Sequence, residues 1–449
     1  MCNEENTMVS NLRSKLNIRF ALFNAVFLLV VLFSDGINAQ IKIKESEVGL
    51  GWSNNSVNTV IFRNSALTTF RDFQFTAYYN PEGMMVLAKR NLNSKKWEKV
   101  VTPYSGNVKD AHNSISIAID SEGYLHVSWD HHDTRLRYAK SKMPFGLELG
   151  EEQPMTGTDE EKVTYPEFHN LPNGKLLFCY RSGASGRGNM IMKSYDVITK
   201  KWTQLQSNLI DGENQRSAYW QMYVGEKGIY LSWVWRESWD VSTNHDICYA
   251  FSPDFGKTWQ KSTGEKYNLP ITEVTAEHAW DVRQKSSLIN QTSMTVDEEG
   301  NPYIASYWKN NGIPQYKVVC FLQGKWKLID TDFHHESFEL GGGGTKRIPI
   351  SRPEVLVNES MLYLLFRDEE RDNKITLAYT DLDKKQWKLK DLTQYSVGQW
   401  EPNFDKELWR EKRQLHIFSQ NVSQADGEGL LKVEPQPVKV LMLKKMPKK

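Results

Sequence analysis

The feature that most limits what this chain can fold into is a repeated strand–turn–strand unit. Helical periodicity is almost absent after residue 40, and short alternating runs recur instead, each broken by a turn signal. They are "QFTAYYNPEGMMVLAKR" (74–90), "SISIAIDSEGYLHVSWD" (114–130), "PEFHNLPNGKLLFCYR" (166–181) and "WQMYVGEKGIYLSWVWR" (220–236). After them come "SMTVDEEGNPYIASYW" (293–308), "RPEVLVNESMLYLLFR" (352–367) and a looser seventh, "EPNFDKELWREKRQLHIFS" (401–419). Each reads as a strand, a tight turn usually carrying Gly, and a second strand. Seven such units predict an all-β fold, a seven-bladed β-propeller, because radial repetition packs blades face to face and leaves few exposed edges.

Outer segments support this. Five units are followed by a segment with a tryptophan: Trp97, Trp202, Trp259, Trp326 and Trp387. One of these, "SPDFGKTW" (252–259), resembles an Asp-box, a turn found between outer strands of propeller blades. Closure of the ring needs one more strand, which "QIKIKE" (40–45) or "VKVLMLKK" (438–445) could supply. Two stacked sandwiches are the alternative, and the regular repeat disfavours them.

The first 39 residues stand apart. Arg13, Lys15 and Arg19 precede the apolar run "FALFNAVFLLVVLF", and "INAQ" offers a small-residue cut after Ala39. That is the layout of a secretory signal peptide. Residues 1–39 are therefore expected to be removed, and residues 40–449 to form one propeller domain, exported to a periplasm or beyond, with no membrane span. A formal net charge of +1 with interspersed signs gives no basic stripe for nucleic acid. Cys179 and Cys320 sit in apolar strands, where buried thiols are expected. His245, Cys248 and His278 have the side chains of a zinc site without a recognised spacing, so a structural metal is left open.

The hairpins also say where chemistry would gather. In an antiparallel hairpin the start of the first strand and the end of the second share an edge. If all inner strands run the same way, those edges meet at one mouth of the channel. His112 precedes the hairpin of 114–130, while His131 and His132 follow it. Later units bring Tyr165 and Arg181, Trp220 and Arg236, Gln291 and Trp308, and Arg352 and Arg367. Taken singly, each has a bland reading: polar caps for His and Arg, blade packing for Trp220 and Trp308, a flexible turn for Gly183, Gly186 and Gly188, plain surface for His334 and His335. Two histidines, a tyrosine and an arginine on adjacent units outweigh it. The chain shows no paired carboxylates of glycosidase type and no serine or cysteine nucleophile motif. Arg binds carboxylate bidentately, His is a base near neutral pH, and Tyr exchanges protons. That set suits proton abstraction next to a carboxylate, followed by loss of the β-substituent.

The stretches "DAHNSISIAIDSEGYLHVSWDHH", "VTYPEFHNLPNGKLLFCYRSGASGRGN", "TNHDICYAFSPDFGKTW" and "ISRPEV" resemble BNR-repeat propellers that include ulvan lyases, rhamnose–glucuronate lyases and a related ulvan oligosaccharide dehydratase. The resemblance runs from about Asn58 to Arg371. By motif it implies a catalytic set of His112 in "DAHN", His132 in "DHH", Tyr165 in "VTYP" and Arg181 in "YRSG". The implied reaction is β-elimination on a uronate glycan, with the C5 proton abstracted and the C4 oxygen expelled to leave a 4,5-unsaturated uronate. A dehydratase would expel water from a terminal uronate instead. A propeller rhamnosidase of the same group uses a histidine in its first blade, where "NTVIFRNSALTT" offers Asn64 and Ser65 and no histidine. Sialidases open with an Arg-Ile-Pro signature that appears here only at 347–349. A non-catalytic glycan-binding propeller would not need acid and base together. The partner expected is thus an anionic glycan, with Asn113, Arg236, His245, Gln291, Trp308 and Arg352 as binding candidates. No organic cofactor is required by the chemistry, and a monomer is expected.

Overall fold

A computed structural model describes residues 42–309, 312–384 and 386–448, so the signal segment expected at 1–39 lies outside the described residues. Residues 43–449 form one compact unit. Six sheets follow one another along the described chain, and the nine-stranded one holds two successive blades joined by a single parallel pairing of Gly188 with Ser217, so that seven blades result, as the repeat predicts. Blade one is Leu67–Phe70, Phe73–Tyr79, Met84–Asn91 and Glu98–Ser105, and blade two is Ile115–Ile119, Leu125–Trp129 and Tyr138–Lys140. Blade three is Val163–Asn170, Leu176–Ala184, Arg187–Asp196 and Lys201–Gln206, extended by the short strand His132–Thr134. Blade four is Ser217–Gly225, Gly228–Arg236, Asn244–Ser252 and Glu277–Trp280. Blade five is Ser293–Val296, Pro302–Lys309, Pro314–Leu322 and Lys325–Asp330. Blade six is Glu354–Asn358, Met361–Asp368, Lys374–Asp381 and Lys388–Asp391. Among the described residues, no helix is long and apolar enough to cross a membrane.

The core lies between blades. "YLSWVWR" in blade four is apolar without alternation because both of its faces are covered. Trp233 and Trp235 pack with Leu177, Cys179 and Met192 of blade three. Val234, between them, faces Ile304 and Val319 of blade five. Truncating either tryptophan to alanine would cost on the order of 3–5 kcal/mol. The same logic places Trp220 with blade three and Trp308 with blade four, each nearly inaccessible. The expected Asp-box turn is present: Asp254 accepts from the backbone of Lys257 and Thr258 and from the Thr258 hydroxyl.

Two expectations shift. The hairpin of 74–90 forms the second and third strands of blade one, because the short strand Leu67–Phe70 occupies the innermost place. The seventh unit is a hairpin with a helix in its turn. Phe404 bridges Ile417, and helix α1 (Lys406–Lys412) lies between them. Asp405 caps α1 by accepting from Leu408 N at 3.0 Å, and Arg413 ends it in the left-handed region. Blade seven then runs Leu415–Ser419, Gln436–Leu443 and Ile43–Gly51, so both candidate closing strands are used. The N-terminal strand is the outer strand of the C-terminal blade, and this locks the ring.

Asp405 strengthens the lock. Its carboxylate also accepts from Thr69 N (3.1 Å), the Thr69 hydroxyl (2.5 Å) and Gln74 Nε2 (2.7 Å), joining blade seven to blade one. Removing one partner from a buried, fully bonded network is strongly destabilising. Asp405→Ala is expected to lower the unfolding free energy by about 3 kcal/mol in denaturant titration. A change below about 0.5 kcal/mol, the range of ordinary surface substitutions, would show that closure does not depend on it.

Candidate active site

One cavity of about 300 Å³ opens where the inner strands begin. It brings together His112, His132, Tyr165, Arg181, Arg236 and Arg352 from blades two, three, four and six. Local backbone explains the aim of each group. In the turn before blade two, Asp110 accepts from His112 N at 2.9 Å. After the blade, Asp130 (φ +66°) and Asp133 (φ +56°) bracket the histidine pair in left-handed conformations. The two histidines then diverge. His131 is buried against Ser128, Thr134 and Arg137, while His132 turns into the cavity.

Tyr165 has φ +57° and lies in the bulge between Thr164 and Glu167. A bulky residue held there carries about 1–3 kcal/mol of strain, which the surrounding packing must offset. Its ring sits 4.9 Å from Phe62 and 5.9 Å from His112, with the Arg181 guanidinium 4.8 Å above it. Arg181 donates to Gly183 O (3.2 Å) and to the Tyr219 hydroxyl (3.4 Å). Gly188 in the facing strand makes room for it: a Cβ there would meet Arg181 Cγ and Cδ at 2.7 Å. The glycine-rich stretch is therefore a packed hairpin that seats the arginine.

The two imidazoles share one carboxylate. His112 Nδ1 lies 2.7 Å from Asp110 Oδ1, and His132 Nδ1 lies 2.6 Å from Asp110 Oδ2. The rings stack at 4.0 Å with 15° between planes. Burial alone would raise the Asp110 carboxyl, but the hydrogen bonds from His112 and His132 overcome it and hold the group well below the usual carboxylate range. Burial takes His112 down to about 4 despite the Asp110 bond. At neutral pH His112 is therefore uncharged, with Nδ1–H donated to Asp110 and Nε2 left as the basic nitrogen. Burial raises the Tyr165 phenol well above its ordinary value, so it stays protonated. Tyr219 differs: burial would raise it, yet Arg236 and Arg181 beside it bring the net value down.

The remaining candidates sit elsewhere. Asn113 is buried and donates to Asn107 O, which fixes the turn. His245 is held between Glu237 (2.9 Å) and Asp246 (2.8 Å), outside the cavity lining. Gln291 is buried, and Trp308 packs between blades. Arg367 is fully buried and donates to the carbonyls of Ile348, Pro349 and Trp400. Arg352 does reach the lining, but both Glu401 oxygens hold its Nη1, at 2.6 and 2.8 Å. His245, Cys248 and His278 are not gathered as a zinc set, because Cys248 faces the apolar interface between blades. The described residues hold three mixed clusters of metal-ligand type: Asp110/His112/His132, Asp246/His278/Asp281 and His334/Asp368/Glu370. In the first, the 2.6–2.7 Å nitrogen–oxygen separations are those of direct hydrogen bonds.

Lining residues that the sequence does not single out include Tyr219, Trp239, Lys346 and Glu428, and Asp110 stands behind the histidines. Tyr219 adjoins the chosen Trp220, and strand alternation sends only one of the two to the cavity. Asp110 lies two residues before His112 inside a quoted motif. Glu428 reaches 3.3 Å from His112 Nδ1, and partial desolvation followed by the Asp110 charge lifts its carboxyl to about 7.

Nitrogen-detected NMR of the imidazoles checks this arrangement. The His112 ring is expected as the Nδ1–H tautomer at pH 7, uncharged until the pH falls to about 4. Asp110→Ala should release it to the Nε2–H form. A His112 that titrates near 6.5 in the intact protein would contradict the buried, carboxylate-anchored geometry.

A family model described as a BNR repeat-containing family member matches residues 73–333, the stretch that carries His112, His132, Tyr165 and Arg181. The Ulvan Lyase-PL25 of Pseudoalteromonas sp. (strain PLSV) is 21% identical over 357 residues, covering 66% of this chain and 68% of that protein. An ulvan lyase, short isoform, of Alteromonas sp. (strain LOR) is 23% identical over 273 residues, covering 46% of this chain and 51% of that protein. Among solved structures, a PL25 ulvan lyase superposes with a TM-score of 0.68 at 16% identity, covering 90% of this chain and 96% of that one. The same lyase bound to -[GlcA(1-4)Rha3S]- gives 0.67 at 17% identity, over 89% and 96%. Polysaccharide lyase Uly1 gives 0.67 at 14% identity, over 89% and 98%. These structural likenesses establish the propeller fold, and the match over more than half of its length places the chain in the BNR repeat-containing family.

Proposed function

We propose that this chain is a polysaccharide lyase that acts on ulvan, or a similar rhamnose–uronate glycan, by β-elimination. The observation that carries the reading is one cavity holding two imidazoles on one carboxylate, a buried tyrosine and the side chains of Arg181 and Arg236 beside it. Relatives named ulvan lyases, and a superposable lyase bound to a glucuronate–rhamnose-sulfate unit, support the substrate class.

The steps follow from the groups. Arg181 and Arg236 supply the positive charge that a uronate carboxylate needs, and both already face the Tyr219 ring. With that charge offset, the C5 proton becomes acidic enough for an imidazole Nε2 to remove. The C5–H electrons form the C4=C5 double bond, and the C4–O bond breaks. The departing oxygen takes the phenol proton of Tyr165, whose raised pKa keeps the phenol protonated and neutral beforehand. Asp110 stabilises the imidazolium that forms, through the hydrogen bond already in place. Proton return from imidazolium to phenolate, directly or through water, resets the site. No organic cofactor takes part. Export by the 1–39 signal and a monomeric state belong to the same proposal.

Substitution separates the roles, read by the ultraviolet absorbance of the unsaturated uronate. Tyr165→Phe is expected to lower kcat by about 10²–10⁴-fold with glycan binding kept. Full activity in that variant would remove Tyr165 from the chemistry. Arg236→Ala is expected mainly to raise KM, and an unchanged KM would make Arg236 a structural residue.

A further inference from the structure

The connection between blades five and six, residues 331–353, is long, and its glycine run 341–344 reaches the cavity. It is tied on two sides. Toward blade four, Gly342 N donates to Asp240 Oδ1 (2.8 Å) and Val241 N donates to Gly342 O (2.9 Å). Gly343 lies under Trp239, where a Cβ would come within 2.9 Å of the indole. Toward blade seven, Thr345 N donates to Glu428 Oε1 (3.1 Å) and Gly427 N to Thr345 O (3.0 Å). Lys346 pairs with Asp426 at 2.6 Å. Glu428 in turn approaches His112, and across the ring Ser185 Oγ bonds the Tyr219 hydroxyl at 2.9 Å. Gly186, at the tip of the blade-three hairpin, packs on the Ser238 backbone, within 3.0 Å of a built Cβ.

These contacts chain together. A wall runs from the hairpin tip of blade three, past Ser238 and Trp239 of blade four, along the glycine loop to 426–428 of blade seven, and back to His112 of blade two. A groove for the interior of a long chain needs openings on two opposite sides. Here the wall bounds the mouth from the blade-three hairpin round to His112, and the cavity volume of about 300 Å³ sits at the small end of ligand sites. Trp239 is 65% exposed while lining the cavity, with one ring face on Gly343. An exposed indole on a rim offers a flat apolar face with a polar edge, which suits a sugar ring.

We infer that the mouth is a blind pocket that admits a glycan by its terminus, with Trp239 as the platform for the sugar next to the reacting one. The enzyme then acts on chain ends and short oligosaccharides, not on the interior of a polymer. This rests on the lyase reading above, and it concerns where along the chain the elimination occurs.

Long ulvan and its oligosaccharides, treated with the full-length protein, test it by two readouts taken together. Unsaturated-uronate absorbance counts eliminations, and size-exclusion chromatography with light scattering reports mean polymer mass. The expected result is absorbance that rises while mean mass stays near its starting value, with small unsaturated products present from the outset. Trp239→Ala should raise KM for a tetrasaccharide more than for a disaccharide. A Lys346→Ala, Asp426→Ala double variant, which unties the wall, should let mean mass fall sooner for the same absorbance. An early collapse of mean mass in the unmodified protein would overturn the inference while leaving the lyase reading intact. No absorbance from either substrate would overturn both.

Discussion

The mouth of this propeller depends on the pairing of Arg352 with Glu401. Arg352 enters blade six, donates to Asn290 O before blade five, and meets both oxygens of Glu401 before blade seven. Glu401 also accepts from Ile61 N, which leads into blade one. One bidentate pair thus touches four of the seven blades at the floor of the cavity. Both partners are buried, so neither can be removed without leaving an unpaired charge. The inner strands are short and meet only their neighbours, and without such ties their starting ends could spread. Arg63 and Arg367 make comparable ties, each donating to carbonyls of adjacent blades.

On that floor the electrostatics are arranged around a single anion. Asp110 is kept ionised by the two histidines it orients, and in return fixes which nitrogen of each faces the cavity. The cations lie across from it, over Tyr165 and Tyr219. A substrate carboxylate would therefore be drawn to the arginine side, leaving the imidazole side to receive a proton. Burial sharpens the contrast, since desolvation holds His112 neutral and Tyr165 protonated at the same pH. One environment prepares a base and an acid without needing opposite surroundings for each.

Much of this was legible in the sequence, for physical reasons that differ by residue. Hairpins with period-two patterning and turn glycines announce themselves, and the antiparallel rule alone puts His112, His132, Tyr165 and Arg181 at one edge. The rule fails where both faces of a strand are buried. Tyr219 and Trp220 are equally apolar neighbours, and only the packing of blade three against blade four shows that the tryptophan belongs to the core. The hairpin rule by itself does not separate His131 from His132, because left-handed aspartates set their directions; the motif resemblance picks His132. The helix inside the seventh hairpin was hidden by a tryptophan and leucine that suit either element. Lys346 and Glu428 come from loops more than 200 residues beyond His112, and nothing local marks them as cavity residues. His245 is a glycan-binding candidate in the sequence, yet Glu237 and Asp246 engage both of its nitrogens.

The measurement that tests the central claim most directly is the mass of the products formed from a defined uronate-containing ulvan oligosaccharide. Elimination divides the substrate into fragments of which one is lighter by a water than its hydrolysis counterpart and carries the C4=C5 double bond. Those fragments, absent when His112 and His132 are both replaced by alanine, are the expected result. Fragments of full hydrolytic mass, or an intact substrate that is bound and never turned over, would contradict the account.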